Sequence, residues 1–79
     1  MPYILKERRN AVLRDGPDNS GELNYALTLV IRSYLQRHGK RYATMNDIVG
    51  ALDSCKAEFQ RRVVAPYEDT KIKENGDCY

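Results

Sequence analysis

Histidine and cysteine are scarce in this 79-residue sequence, and their scarcity removes several kinds of chemistry at once. His38 is the only histidine, and Cys55 and Cys78 are the only cysteines. A structural zinc site needs four ligands of these types, normally with two cysteines close together, so a zinc fold is excluded. Cys55 lies within a helical apolar pattern and Cys78 is next to last in the chain. Thiols in such different settings do not form a disulfide framework. Long apolar runs are missing as well. The opening Met1-Pro2-Tyr3-Ile4-Leu5-Lys6 places three apolar residues in a row before charge begins, too few for a signal peptide or a membrane anchor. Reduced thiols in a cytoplasmic protein are the expectation. No glycine-rich phosphate loop occurs, because the five glycines stand apart.

A strong charge of one sign is also lacking. Thirteen Lys/Arg against eleven Asp/Glu leave a net charge of +2, and dedicated duplex-DNA binders carry a denser basic stripe. Duplex nucleic acid is therefore disfavoured as a partner. The small net charge hides an asymmetry. Residues 1–45 hold eight cations against four anions, and residues 46–79 hold five against seven. That split suits intersubunit pairing as well as it suits a polyanion. Eight of the thirteen cations are arginine, the side chain that forks onto phosphate or carboxylate.

A chain this short buries roughly 60–65% of its unfolded surface, so its stability margin is thin. Small domains make up the difference with disulfides, a metal or subunit contacts. With the first two removed, a homo-oligomer is expected, with no cofactor.

Hydropathy periodicity places the helices. Asp15-Gly16-Pro17-Asp18-Asn19-Ser20-Gly21 is a dense run of turn formers, and residues 1–20 read as a basic N-terminal arm and loop. Pro2 to Arg14 could be extended or a short helix. Residues 21–38 read as a helix, with Ser20 as N-cap, Leu23, Leu27, Val30 and Tyr34 as its apolar stripe, and Gly39 as its stop. Residues 46–65 read as a second helix capped by Asn46, with Ile48, Leu52, Cys55, Phe59 and Val63 as its seam. Gly50 and Ser54, one turn apart, would let a neighbouring backbone come close. Pro66 should break that helix, and residues 66–75 restart as a short one with a tail at 76–79. The expected fold is all-α, a single domain over residues 1–79. It would be a small helical hairpin with an extra C-terminal helix, leaving apolar surface for other copies to cover.

Gly21-Glu22-Leu23-Asn24-Tyr25, the opening Met1-Pro2-Tyr3-Ile4 and the tail Arg61 to Tyr79 resemble a family of short uncharacterised proteins found in phage and prophage genomes and in some bacteria. The tail follows the pattern RRVVAPYEDxKIxENGDxY. Gln60 stands where that pattern leads us to expect an aromatic, and Cys78 where it leads us to expect an aliphatic; neither departure touches the charged residues. The resemblance implies a setting, phage accessory genes acting in the host cytoplasm, and no activity. Small phage proteins often disarm host defence, some as oligomeric sponges that trap a nucleotide messenger without cleaving it. That step is an analogy.

Arg61 and Arg62, with Arg8, Arg9 and Arg41, are the candidate anion-binding residues, since paired guanidinium groups fork onto phosphate oxygens. Ion pairing is the simpler role, because Glu58 lies four residues before Arg62 in the favourable orientation. Tyr67, Tyr25, Tyr34 and Tyr42 could stack on a base. For Tyr25 and Tyr34 a place in the core is the simpler reading, and for Tyr67 both stay open. Glu74-Asn75-Gly76-Asp77 spells E-x-x-D, half of the magnesium motif of all-α nucleotide pyrophosphohydrolases. The upstream half is missing, since Glu58 has Cys55 and Arg61 as its neighbours three residues away. Cys55 on a packing face reads as an inert small hydrophobe, and His38 as a helix C-terminal cation. No catalytic or metal residue is assigned. The expected function is a non-enzymatic module that sequesters an anionic nucleotide-like ligand between subunits. A module that inhibits a host defence protein is the alternative, and a metal-dependent nucleotide hydrolase comes third. A membrane is not expected as a partner.

Overall fold

A computed structural model describes residues 2–79 of the chain. Among these residues it is all-α, as the periodicity requires, with no strand. The elements are α1 (Lys6–Asp15), α2 (Ser20–His38), α3 (Tyr42–Phe59), a π-helical turn (Gln60–Val64) and α4 (Ala65–Asn75). They group into two compact units, one ending at Met45 and the other spanning Asn46–Tyr79. That division falls where the basic half of the sequence gives way to the acidic half.

In the first unit, the segment that could be arm or helix is helical from Lys6. α1 stops at Gly16, which takes φ 90° and donates its N–H to the Val12 carbonyl at 2.9 Å. α2 starts one residue earlier than the sequence suggests. Asn19, not Ser20, is the N-cap: its backbone is extended and its Oδ1 accepts the Glu22 N–H at 2.9 Å. Ser20 is already the first helical residue, where a cap side chain cannot fold back onto the third amide.

The buried side of α2 differs from the one the apolar stripe predicts. Glu22 is only 4% exposed, and Tyr25, Ala26 and Leu29, three, four and seven residues on, are half-buried. Leu23, Leu27, Val30 and Tyr34 are exposed, Val30 to 70%. Tyr34, expected in the core, instead lies against His38 with ring centroids 4.3 Å apart. The reason is directional. Glu22 and Tyr25 make the polar contacts to α1 described below, and a forked ion pair has a fixed geometry that a greasy stripe lacks. Val12 is the buried apolar side chain of α1.

α3 begins at Tyr42 rather than at Asn46, with the Met45 N–H donating to the Arg41 carbonyl at 3.1 Å. Nothing in Tyr42-Ala43-Thr44-Met45 resists a helical turn, so Asn46 lies inside the helix, where it has no cap to form.

Nor does Pro66 end the helix. Helical backbone runs without interruption from α3 through Gln60–Val64 into α4. The turn before Pro66 widens, so that Ala65 donates to the carbonyl of Gln60, five residues back. A proline ring collides with the carbonyl four residues before it and offers no N–H, and a single wide turn accommodates both defects. The helix finally stops at Gly76, again with positive φ. No side chain of residues 46–79 is buried, and only Ile48 and Val64 are half-buried. A methyl group built at Gly50 would meet nothing within 4 Å.

Candidate functional site

The wide turn carries the densest functional chemistry of the second unit. Arg61 and Arg62 lie within it and converge on a single carboxylate oxygen. The Arg61 Nη2 donates to Glu58 Oε1 at 2.8 Å, and the Arg62 Nε donates to the same atom. All three side chains are at least half exposed. Exposed pairs of this kind contribute about 0.2–1 kcal/mol each, so the grip on Glu58 is easily exchanged for another anion. Two guanidinium charges share one carboxylate, and one positive charge is left over. Tyr67 follows on α4 and is 61% exposed. Lys71 stands over its ring at 5.4 Å and also reaches Glu74 Oε2 at 3.3 Å. Cations, an exposed tyrosine and a locally widened backbone therefore occur within about three turns of one helix.

The remaining candidates belong to the first unit. Arg8 is committed to carboxylates. Its Nε donates to Glu22 Oε2 at 2.8 Å, and its Nη2 donates to Glu22 Oε1 at 2.9 Å and to Asp18 Oδ2 at 3.2 Å. Glu22 Oε1 also accepts the Asp18 backbone N–H at 3.1 Å. Hydrogen bonding from Arg8 is the main force holding the Glu22 carboxyl down at about 2, with the Asp18 N–H adding to it against the effect of burial. The same contact raises the Arg8 guanidinium further above its ordinary value. Arg9, one residue on, stands 5.9 Å from the centroid of the Tyr25 ring. Arg41 is exposed just before α3. Arg8 and Arg9 thus join α1 to α2, while Arg61 and Arg62 share Glu58.

Periodicity did not point to Asp18, Asn19 and Glu22 as a cluster. A usable signal was present, because Asn19-x-x-Glu22 matches the spacing of a capping box. Here the glutamate reaches back to the amide one residue before the cap, and it reaches Arg8.

Glu74 is helical, but α4 ends at Asn75, and Asp77 accepts the Tyr79 N–H at 2.9 Å in the tail. Among the described residues no group of three or more His, Cys, Asp or Glu side chains is placed to hold a metal ion. No helix among them is long and apolar enough to cross a membrane.

The family model described as a domain of unknown function, DUF6899, matches residues 1–78. The chain belongs to the DUF6899 family. The match supports the expectation of an uncharacterised family. Comparison with curated proteins and with solved structures gives no match. In this DUF6899 chain the match takes in both the Arg8–Glu22 cluster and the wide turn at Arg61 and Arg62.

Proposed function

We propose that this DUF6899 protein is a non-enzymatic binding module that holds an anionic, nucleotide-like ligand at the wide turn. The supporting observation is the sharing of one Glu58 oxygen by Arg61 and Arg62, with the exposed Tyr67 a few residues farther along the same helix. A phosphate group offers three oxygens to the two forks where Glu58 offers one, and the base can lie on Tyr67. Arg9 and Arg41 belong to the first unit, where Arg8 holds α1 against α2. Turns of π type inside α-helices are frequent at functional positions. The phage setting implied by the tail pattern gives such binding a purpose, which is sequestering a nucleotide messenger of host defence in the host cytoplasm.

Thermal melting with nucleoside polyphosphates and cyclic dinucleotides tests this. A ligand at a hundred times its Kd should add about 2.7 kcal/mol of stability and be recovered intact. Arg61→Ala combined with Arg62→Ala should abolish the shift. Turnover of the ligand with magnesium, or no shift with any of these compounds, would sink the reading.

A second reading is favoured by the exposed apolar seam of α3, with Phe59 58% exposed. A module that masks a host defence protein would use such a surface. It would bring down one host protein in defined stoichiometry, and the Arg61→Ala, Arg62→Ala chain would still do so.

A further inference from the structure

Two apolar stripes stand exposed in this chain, and they lie on units of opposite charge. On α2, Leu23, Leu27, Val30 and Tyr34 follow one another at helical spacing, all outside the buried side of the first unit. Along α3 and the wide turn, Leu52, Cys55, Phe59 and Val63 do the same. Each stripe needs cover. The second unit buries no side chain, and an isolated helix in water is marginal however good its propensity. Exposed apolar stripes of this length on a small protein mark contact surfaces.

The charge decides what covers them. The unit ending at Met45 carries eight cations and four anions, a net +4, and the unit Asn46–Tyr79 carries five and seven, a net −2. Packing like stripes would set +4 against +4 or −2 against −2. Packing unlike stripes sets positive against negative, which lowers the energy of encounter and fixes the partner. Local features agree. Leu29, Val30, Ser33, Tyr34 and Arg37 line a shallow, largely apolar depression on α2 with a cation at one end.

We propose that the chain self-associates through unlike faces, the α2 stripe of one copy packing on the α3 stripe of a second copy. A contact between unlike faces is heterologous, so each association joins one α2 stripe to one α3 stripe. This stands apart from the ligand reading, since neither stripe includes Arg61, Arg62 or Tyr67.

The test uses the full chain and two variants, Val30→Asp and Phe59→Asp. In sedimentation velocity the unsubstituted chain should self-associate, and each variant alone should be monomeric. An equimolar mixture of the two should associate again, because one copy then supplies an intact α2 stripe and the other an intact α3 stripe. A monomeric unsubstituted chain, a single variant that still associates, or a mixture that stays apart would each overturn the proposal. Should a variant lose its helical circular dichroism, thiol labelling of the unsubstituted chain decides instead. Cys55 lies in the α3 stripe and Cys78 in the tail, so each chain carries its own control. Cys55 should react about tenfold more slowly than Cys78 once about nine copies in ten are associated, and should catch up on dilution. Equal rates at every concentration would refute it.

Discussion

Arg8 grips Glu22 with two nitrogens across a separation of fourteen residues, Nε to Oε2 at 2.8 Å and Nη2 to Oε1 at 2.9 Å. Because the Glu22 carboxyl is held at about 2 against an ordinary 4.5, the unfolded chain binds more protons than the folded one between those values. The contribution is complete above about pH 4.5 and is lost as pH falls toward 2. As far as Glu22 sets it, melting temperature should therefore be independent of pH near neutrality and fall in the acid range, and Glu22→Gln should flatten that part of the acid limb while lowering Tm at pH 7. Arg8→Lys keeps the charge but not the fork, so it too should lower Tm. An unchanged acid limb in Glu22→Gln would contradict this assignment.

Asn19 is the cap of α2, and Ser20 is not. Asn19→Ala should cost about 1 kcal/mol, a drop of about 4–8 °C in Tm for a domain of this size. Ser20→Ala should be nearly silent. Equal losses from the two substitutions would point to a mobile helix start.

The wide turn at Gln60–Val64 is a response to Pro66. In Pro66→Ala the backbone should return to ordinary four-residue hydrogen bonding, with residue 66 gaining a protected amide. The gain should be about 1–3 kcal/mol, since an interior proline costs about 3 or more. Hydrogen exchange and backbone chemical shifts over residues 60–68 report the change. A turn that stays wide without the proline would need another cause.

Glycines 39 and 50 should respond in opposite directions. Gly39 ends α2 at φ 87°, ψ 157°, a region essentially closed to other residues. Gly39→Ala should cost about 1–3 kcal/mol. Gly50 lies in ordinary helix with open space around it, so Gly50→Ala should add about 0.5–1 kcal/mol. Thermal or urea unfolding separates the two.

Glu58 competes with any anion for Arg61 and Arg62. Glu58→Gln should tighten binding of a polyphosphate roughly two- to fivefold, as expected for release of two weak exposed pairs. Isothermal titration at low salt measures it, and weaker binding would show that Glu58 itself contacts the ligand.

Much of this fold is written locally along the chain. Helix or strand, the glycine stops at 39 and 76 and the turn-rich loop before α2 follow from spacing and backbone preference, which act over a few residues. The pairing of Arg61 and Arg62 with Glu58 is equally local, at three and four positions along one helix. Three features lay beyond that range. Which side of α2 is buried was settled by Arg8 meeting Glu22 from another helix, and no periodicity within α2 encodes a partner fourteen residues away. That α3 starts four residues before its apparent cap, and runs on through Pro66, depended on whether neighbouring turns could absorb the misfit. Short-range rules name the elements, but a directional ion pair and one widened turn chose which faces those elements show.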